Sequence, residues 1–150
     1  MKRISIAFDH RGEKLASVLR DFLKKSGYEV SMGTSRAGDD YIDNAIPAIN
    51  DVKSKKSDFA ILICGTGVGM AIVANRHSGI FAVHAKEPAE AHFARVHENA
   101  NVLVLGAGYA DEQYEVKLSS QRAKQIVQAF LTSNFEGGRH QRRVEKIERI

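Results

Sequence analysis

The sequence predicts an α/β fold, in which residues 1–150 form a single domain built as a three-layer α/β/α sandwich around a five-stranded parallel sheet. Short apolar runs alternate along the chain with longer segments in which apolar residues recur at helical spacing. This alternation is typical of a doubly wound parallel sheet, because neighbouring parallel strands are joined by crossover helices. A length of 150 residues suits one domain, and the sequence contains no internal repeat or interdomain linker.

The first half of the chain contains three predicted strands, each followed by a predicted helix. The strands are short and apolar and cover residues 4–8, 28–32 and 59–63. The first helix carries apolar residues at helical spacing, namely Leu15, Val18, Leu19, Phe22 and Leu23. Gly27 is placed to end this helix. We expect the second helix to begin near Asp43 or Asn44, because Pro47 is tolerated only in the first turn of a helix. A third helix follows at residues 70–75.

The second half continues the alternation with two strands and three helices. The strands cover residues 80–83 and 102–105, and Gly106 closes the second of them. The helices cover residues 88–96, about 111–131 and 141–150. Pro88 suits the first turn of its helix, where the missing N–H costs nothing.

Composition and charge exclude several protein classes. The single cysteine, Cys64, allows no internal disulfide and no structural zinc cluster of cysteines. No apolar run approaches the roughly 20 residues that span a bilayer, and no signal-like segment precedes the first strand. We therefore expect a cytoplasmic protein with no membrane attachment. The net charge is +4, and basic residues are concentrated near the C-terminus. Such an excess of positive charge suits an anionic partner.

Three alternating glycines, Gly65, Gly67 and Gly69, follow the most apolar strand. Ligands of parallel α/β sheets bind at the carboxyl ends of the strands, and exposed N–H groups at a helix N-terminus bind anions. The turn lacks the Gly-Lys-Ser/Thr ending of a P-loop and the G-x-G-x-x-G spacing of a dinucleotide site. It therefore predicts an anion site without a nucleotide cofactor. The alternative is a purely structural turn.

Cys64 ends the third strand directly before this turn. A thiolate at a helix N-terminus is stabilised, so we expect the pKa of Cys64 to be lowered and the residue to be reactive. The alternative is a small buried apolar residue, which is the usual state of an isolated cysteine.

Histidines and arginines elsewhere form a second set of candidates. His10 follows Asp9 at the end of the first strand, and His97 lies near the end of the fourth helix. Histidine exchanges protons near neutral pH, which suits a catalytic role, although a surface role is the alternative. Arg139 and Arg143 are four residues apart, so a helix would place both guanidinium groups on one face, where they suit phosphate oxygens or are simply solvated. The histidine spacing matches no metal site, and we expect no metal.

Four segments carry a resemblance to a known family, and they extend over nearly the whole chain. The segments are FDHRG at 8–12, ILICGTGVG at 61–69, ARVHENANVL at 94–103 and FEGGRHQRRV at 135–144. Together they resemble the type B ribose-5-phosphate isomerase family, which is shared with galactose-6-phosphate isomerase.

The resemblance implies a Rossmann-like fold and an aldose–ketose isomerase without metal or cofactor. Its implied reaction is the interconversion of ribose 5-phosphate and ribulose 5-phosphate in the pentose phosphate pathway. It also implies a homodimer, or a tetramer, in which each active site is shared between two subunits.

The resemblance assigns roles to individual residues by motif. Cys64 matches the catalytic base, and His97 and Thr66 match residues that open the furanose ring. The backbone of residues 65–69, which includes Val68, matches the hole that holds the enediolate oxygen. The remaining matches are substrate contacts: Asp9 to a hydroxyl group, and His10, Arg139 and Arg143 to the phosphate.

Two positions depart from the family pattern. Glu98 follows the ring-opening histidine where the family commonly has asparagine, with Asn99 one place later, and Gly108 stands where the family commonly has arginine. Tyr41, Glu98 and Asn99 are further candidate substrate contacts. These departures leave open a six-carbon substrate, either allose 6-phosphate or galactose 6-phosphate.

A noncatalytic phosphate-binding or nucleic-acid-binding module is the alternative from another functional class, because the C-terminal segment is basic. No aromatic residues interleave with its arginines, as binders of single strands require. We therefore expect a small sugar phosphate, and no nucleic acid, as the partner.

Overall fold

A parallel five-stranded sheet forms the centre of the computed structural model, which describes residues 1–150. Its strands are β1 (Arg3–Phe8), β2 (Glu29–Met32), β3 (Phe59–Cys64), β4 (Ala82–His84) and β5 (Val102–Gly106). They lie in the order β2-β1-β3-β5-β4, and all pairs are parallel. The predicted parallel sheet is confirmed, with β3 at its centre.

Five helices cover the two faces of the sheet, and a sixth packs against the fourth. They are α1 (Glu13–Lys25), α2 (Tyr41–Lys53), α3 (Val68–Asn75), α4 (Pro88–Glu98), α5 (Ser120–Thr132) and α6 (Arg139–Glu148). None of them is long and apolar enough to cross a membrane. Because successive side chains of a strand point to opposite faces of the sheet, β3 contributes residues to two hydrophobic cores. Phe59 and Ile63 pack with α1, α4 and α5, whereas Leu62 and Cys64 pack with α2 and α3. The predicted three-layer arrangement is confirmed.

The second helix begins at Tyr41, so its predicted start near Asp43 was wrong. Pro47 is the seventh residue of α2 and lies in its second turn. Asp40 caps the helix by accepting the N–H groups of Ile42 and Asp43, and the Asp43 carboxylate accepts the N–H of Asp40 in return. This reciprocal cap stabilises a start that the proline alone would disfavour.

The predicted helix at 111–131 was wrong in its first part. Residues Gly108–Ala110 form β6 and Glu115–Lys117 form β7, an antiparallel hairpin that precedes α5. Asp111 causes the turn, because its carboxylate accepts the N–H groups of Gln113 and Tyr114. Ser119 then caps α5 by accepting the N–H of Arg122.

The helix α4 runs back along the sheet and carries His97 away from the carboxyl ends of the strands. Cys64 pairs with Gly106 at the end of β5, whereas His97 is five residues before Val102, where β5 begins. Four residue steps along β5 span roughly 13 Å at about 3.3 Å per residue. His97 and Cys64 therefore lie at opposite edges of the sheet within one chain.

Candidate active site

A cavity of about 330 Å³ opens at the carboxyl ends of β1 and β3. It is lined by Asp9, Arg11, Tyr41, Cys64, Gly65, Thr66, Val68, Gly69 and Tyr109. The strand ends and the glycine turn thus meet where parallel α/β sheets place their ligands.

Cys64 lies at the base of this cavity, beneath the N-terminus of α3. The N–H of Gly67 donates a hydrogen bond to its Sγ at 3.2 Å, and the side chain is 5% exposed. Gly67 has φ +83° and caps α3. A β-carbon at this position would overlap the imidazole ring of His84, so the turn that holds the sulfur requires glycine here.

Burial raises the pKa of the Cys64 thiol above its ordinary value, so the expected lowering was wrong. The N–H groups of Met70, Gly67 and Thr66 favour the thiolate and act in the opposite direction, and the negative charge of Asp9 reinforces the rise. Loss of hydration at a nearly enclosed sulfur outweighs the helix N-terminus. The thiol is therefore protonated in the resting chain at neutral pH.

Asp9 and Thr66 bring two further oxygens to the cavity. One carboxylate oxygen of Asp9, Oδ1, accepts the N–H groups of Arg11 at 2.9 Å and Gly12 at 3.1 Å. The hydroxyl oxygen of Thr66 accepts the N–H of Val68 at 3.2 Å, so its proton stays available to a ligand. Both side chains are held by hydrogen bonds from backbone N–H groups, and both line the cavity.

Aromatic rings border the cavity on two sides. The ring of Tyr41 packs on the glycine turn, since a β-carbon on Gly69 would lie 2.6 Å from its Cε2. On the other side Tyr109 packs against the guanidinium group of Arg11, whose Cζ lies 4.6 Å from the ring centroid. Sequence reasoning missed Arg11 and Tyr109. The position of Arg11 beside Asp9, after a strand end, was the one signal that could have found it.

The second group of candidate residues lies on α4 and α6. The imidazole rings of His97 and His140 stack with centroids 4.3 Å apart, and the ring of Phe93 also stacks with His97 at 5.1 Å. The N–H of Glu136 donates to the carbonyl of Val96 at 3.0 Å, which fixes the loop before α6 against α4.

His140 is a buried histidine without a partner for one ring nitrogen. It is 4% exposed, and its Nε2 makes no hydrogen bond within the chain. Burial lowers its pKa below the ordinary value for histidine, and the neighbouring His97 and Arg139 act in the same direction. Arg139 and Arg143 are exposed on α6 and form no ion pair with a carboxylate of the chain.

One cluster has the residue types of a metal site. Ligand atoms of His97, Glu136 and His140 lie within 4.8 Å of one another. Imidazole binds a metal through a lone pair in the plane of its ring. The rings of His97 and His140 are parallel to within 16° and stacked, so their lone pairs do not converge on one point. The arrangement does not fit a metal ion.

The sequence-predicted residues therefore fall into two groups within one chain. Cys64, Thr66, Asp9 and the turn at 65–69 meet at the first cavity, with Tyr41 at its edge. The second group comprises His97, Arg139 and Arg143, near the opposite edge of the sheet. The remaining candidates lie outside the cavity: His10, Glu98 and Asn99 are exposed. Asn99 has φ +53° and accepts a hydrogen bond from Arg95.

Comparison with known proteins gives concordant matches over nearly the full chain. The model of the Ribose/Galactose Isomerase family matches residues 4–147. Ribose-5-phosphate isomerase B of Escherichia coli is 40% identical, covering 100% of this chain and 97% of the relative. A galactose-6-phosphate isomerase subunit of Streptococcus mutans is 30% identical, covering 98% of each chain. The solved structure of ribose-5-phosphate isomerase B from Mycoplasma genitalium with bound ribulose-5-phosphate is 39% identical with a TM-score of 0.86, covering 98% of this chain and 94% of that one.

Proposed function

This chain belongs to the ribose/galactose isomerase family, and from that membership we propose that it interconverts ribose 5-phosphate and ribulose 5-phosphate. The observation that carries the proposal is the position of Cys64. Its sulfur lies in a cavity framed by the N–H groups of the glycine turn. The relative crystallised with ribulose-5-phosphate supports the five-carbon substrate.

Cys64 is the base that moves a proton between C2 and C1 of the open-chain sugar. Its thiolate takes the proton from C2 of the aldose, and an enediolate forms. The thiol then returns the proton to C1 while the hydroxyl proton of O2 passes to O1, and the ketose results. Hydrogen moves within one substrate molecule, so the reaction is balanced without an external oxidant or reductant. Because burial favours the thiol, the N–H groups around the sulfur are needed to make the thiolate accessible.

The first turn of α3 stabilises the enediolate. Within this turn the N–H groups of Val68 and Met70 already contact Thr66 and Cys64, whereas the N–H of Gly69 makes no hydrogen bond within the chain and Gly69 lines the cavity. Donors placed where negative charge develops lower the barrier more than donors that must reorganise. The Asp9 carboxylate and the Thr66 hydroxyl hold the sugar hydroxyl groups.

A second copy of the chain completes the site. His97 cannot reach the sugar bound at Cys64 of its own chain, because the two residues lie at opposite edges of the sheet. In a homodimer, or a tetramer built from such dimers, His97 of one copy opens the furanose ring at Cys64 of the other. Phe93, which stacks on His97, is 51% exposed, as expected for an apolar residue that an adjoining subunit covers.

The phosphate binds between the two copies. Arg139 and Arg143 of one copy supply guanidinium groups without internal partners, and His10 of the other copy lies beside Asp9 at the end of β1. Guanidinium groups bind phosphate oxygens in pairs of parallel hydrogen bonds. A phosphate group bound away from C1 and C2 orients these reacting carbons over the sulfur.

A six-carbon substrate and a nucleic-acid partner are not favoured. The galactose-6-phosphate isomerase subunit is 30% identical to this chain, whereas the E. coli ribose-5-phosphate isomerase is 40% identical. The exposed Glu98 still makes the sugar preference worth measuring directly.

The test is a kinetic assay with ribose 5-phosphate, allose 6-phosphate and galactose 6-phosphate side by side in deuterated water. We expect the highest kcat/KM for ribose 5-phosphate, with deuterium from solvent entering C1 of the ketose. A higher kcat/KM for a six-carbon substrate would show that the preferred substrate is that sugar and not ribose 5-phosphate. Isomerisation without deuterium in the ketose would show that the proton on the base does not exchange with solvent during turnover. No turnover of any of the three would overturn the proposed function.

A further inference from the structure

Arg11 is the only cationic side chain that lines the Cys64 cavity. It is exposed and lies directly after Asp9 and His10 at the end of β1. Its guanidinium group forms no ion pair with any carboxylate of the chain. The only carboxylate among the cavity residues, Asp9, instead accepts the backbone N–H of Arg11.

The guanidinium group of Arg11 is held in place by packing. Its Cζ lies 4.6 Å from the centroid of the Tyr109 ring. The side chain crosses Gly65 so closely that a β-carbon there would lie 2.8 Å from Arg11 Cδ and 3.3 Å from Tyr109 Cδ2. The absence of a side chain at Gly65 thus leaves the space that the Arg11 side chain occupies. The backbone N–H of Arg11, bonded to Asp9 Oδ1 at 2.9 Å, fixes the other end of the residue.

The N–H donors of the exposed Arg11 guanidinium group make no hydrogen bond within the chain. An arginine over an aromatic ring is held through the face of its planar group, whereas its N–H donors point outwards in that plane. A preordered fork of donors loses less entropy on binding an anion than a flexible side chain does. The residue is therefore suited to a doubly charged phosphate monoester.

We propose that Arg11 is a substrate-binding residue of this site, which donates hydrogen bonds to the phosphate group of the sugar phosphate, and that Tyr109 is the residue that positions it. The proposal rests on the proposed function. In this proposal the phosphate contacts three arginines. Two come from the second copy, and Arg11 comes from the chain whose Cys64 acts on the sugar. The proposal also gives the hairpin β6–β7 a role, because this hairpin carries Tyr109 to the cavity mouth.

The test compares Arg11→Gln with Arg76→Gln, which removes an exposed arginine at the end of α3, outside this cavity. We expect Arg11→Gln to raise KM for ribose 5-phosphate about tenfold or more and to change kcat less than about threefold. The dissociation constant of inorganic phosphate, measured by calorimetry on the same protein, rises in parallel. Tyr109→Phe keeps the ring and leaves both constants unchanged, whereas Tyr109→Ala weakens both.

Alkylation of Cys64 by iodoacetamide serves as the measure of an intact cavity, since Cys64 is the only cysteine. We expect the alkylation rate to be the same in Arg11→Gln and in the protein without a substitution. Phosphate affinity and KM that stay within about twofold would overturn the proposal, and so would a loss accompanied by a changed alkylation rate, which would make Arg11 structural. If the unmodified protein fails to isomerise ribose 5-phosphate, the proposed function fails, while the calorimetry still decides whether Arg11 binds phosphate.

Discussion

The backbone N–H of Gly67 donates a hydrogen bond to Sγ of Cys64 at 3.2 Å. This contact joins β3, which ends at Cys64, to the residue that caps α3. It favours the thiolate, whereas burial of the same sulfur favours the thiol, and burial has the larger effect on the pKa. The site thus holds a thiol whose charged form is stabilised by local N–H groups but is not the resting state.

Removal of the thiol should abolish catalysis and leave the fold intact. We expect Cys64→Ala to lower kcat by about a thousandfold or more, because a positioned base commonly contributes 10²–10⁴-fold. Circular dichroism and thermal unfolding check the fold, and Cys64→Ser serves as the near-isosteric control. A Cys64→Ala protein with kcat close to that of the unmodified protein would exclude this residue as the base.

Neutralising Asp9 should lower the pKa of Cys64. The negative charge of Asp9 disfavours the thiolate, and Asp9→Asn removes that charge while keeping an oxygen that can accept the N–H groups of Arg11 and Gly12. The pKa is measured as the midpoint of the alkylation rate against pH, and the single cysteine makes the reading unambiguous. An unchanged or raised midpoint would show that Asp9 does not act on the sulfur through its charge.

Adding a methyl group at Gly67 should cost more stability than the same change at Gly79. Both glycines have φ near +80°, but a β-carbon on Gly67 meets the ring of His84, whereas one on Gly79 has no atom within 4 Å. Gly79→Ala therefore measures backbone strain alone, about 1–2 kcal/mol. We expect Gly67→Ala to lose about 1–3 kcal/mol more from overpacking. Urea unfolding gives both values, and equal losses would contradict the close contact between the turn and His84.

Acid should destabilise the chain through His140. Its pKa is lowered in the folded state, so the folded protein favours the neutral ring. The stabilisation is present above the ordinary pKa of histidine, about 6.5, and is lost as pH falls towards the lowered value, because the unfolded chain then binds more protons. The free energy of unfolding should fall between about pH 7.5 and about pH 5, and it should fall less in His140→Gln.

The free energy of unfolding is measured by urea unfolding at about pH 7.5 and at about pH 5. His77→Gln removes a half-buried histidine elsewhere and serves as the control. If His140→Gln and the unmodified chain lost the same free energy, His140 would not be a source of the pH dependence.

Local patterns predicted the sheet and most helices. The run Phe59–Cys64 is buried at every residue, and its apolar, β-branched composition indicated a central strand. The hairpin β6–β7 was missed because the turn at Asp111 depends on a side chain accepting two N–H groups, and the predicted helix was extended back through it. Val116 and Leu118 are two residues apart, a spacing that suits a strand, so this spacing was the signal against a helix there.

The site was predicted less completely, because it depends on burial and on contacts between distant segments. The glycine turn indicated a reactive Cys64, but only the packing of α2 and α3 shows that burial raises its pKa. The pairing of Arg11 with Tyr109 joins residues that are far apart in the chain, and no motif links them.

The central claim is that Cys64 of one copy and His97 of another act on the same substrate molecule. We expect Cys64→Ala and His97→Ala each to be inactive alone, and the test is to unfold both variants together and refold the mixture. With random pairing of equal amounts, about one quarter of the sites contain an intact Cys64 and an intact His97 from different copies. We predict that the mixture recovers about one quarter of the unmodified activity, measured against each variant refolded alone. A mixture that forms mixed oligomers, as shown by two different affinity tags, and yet stays as inactive as its components would contradict the claim.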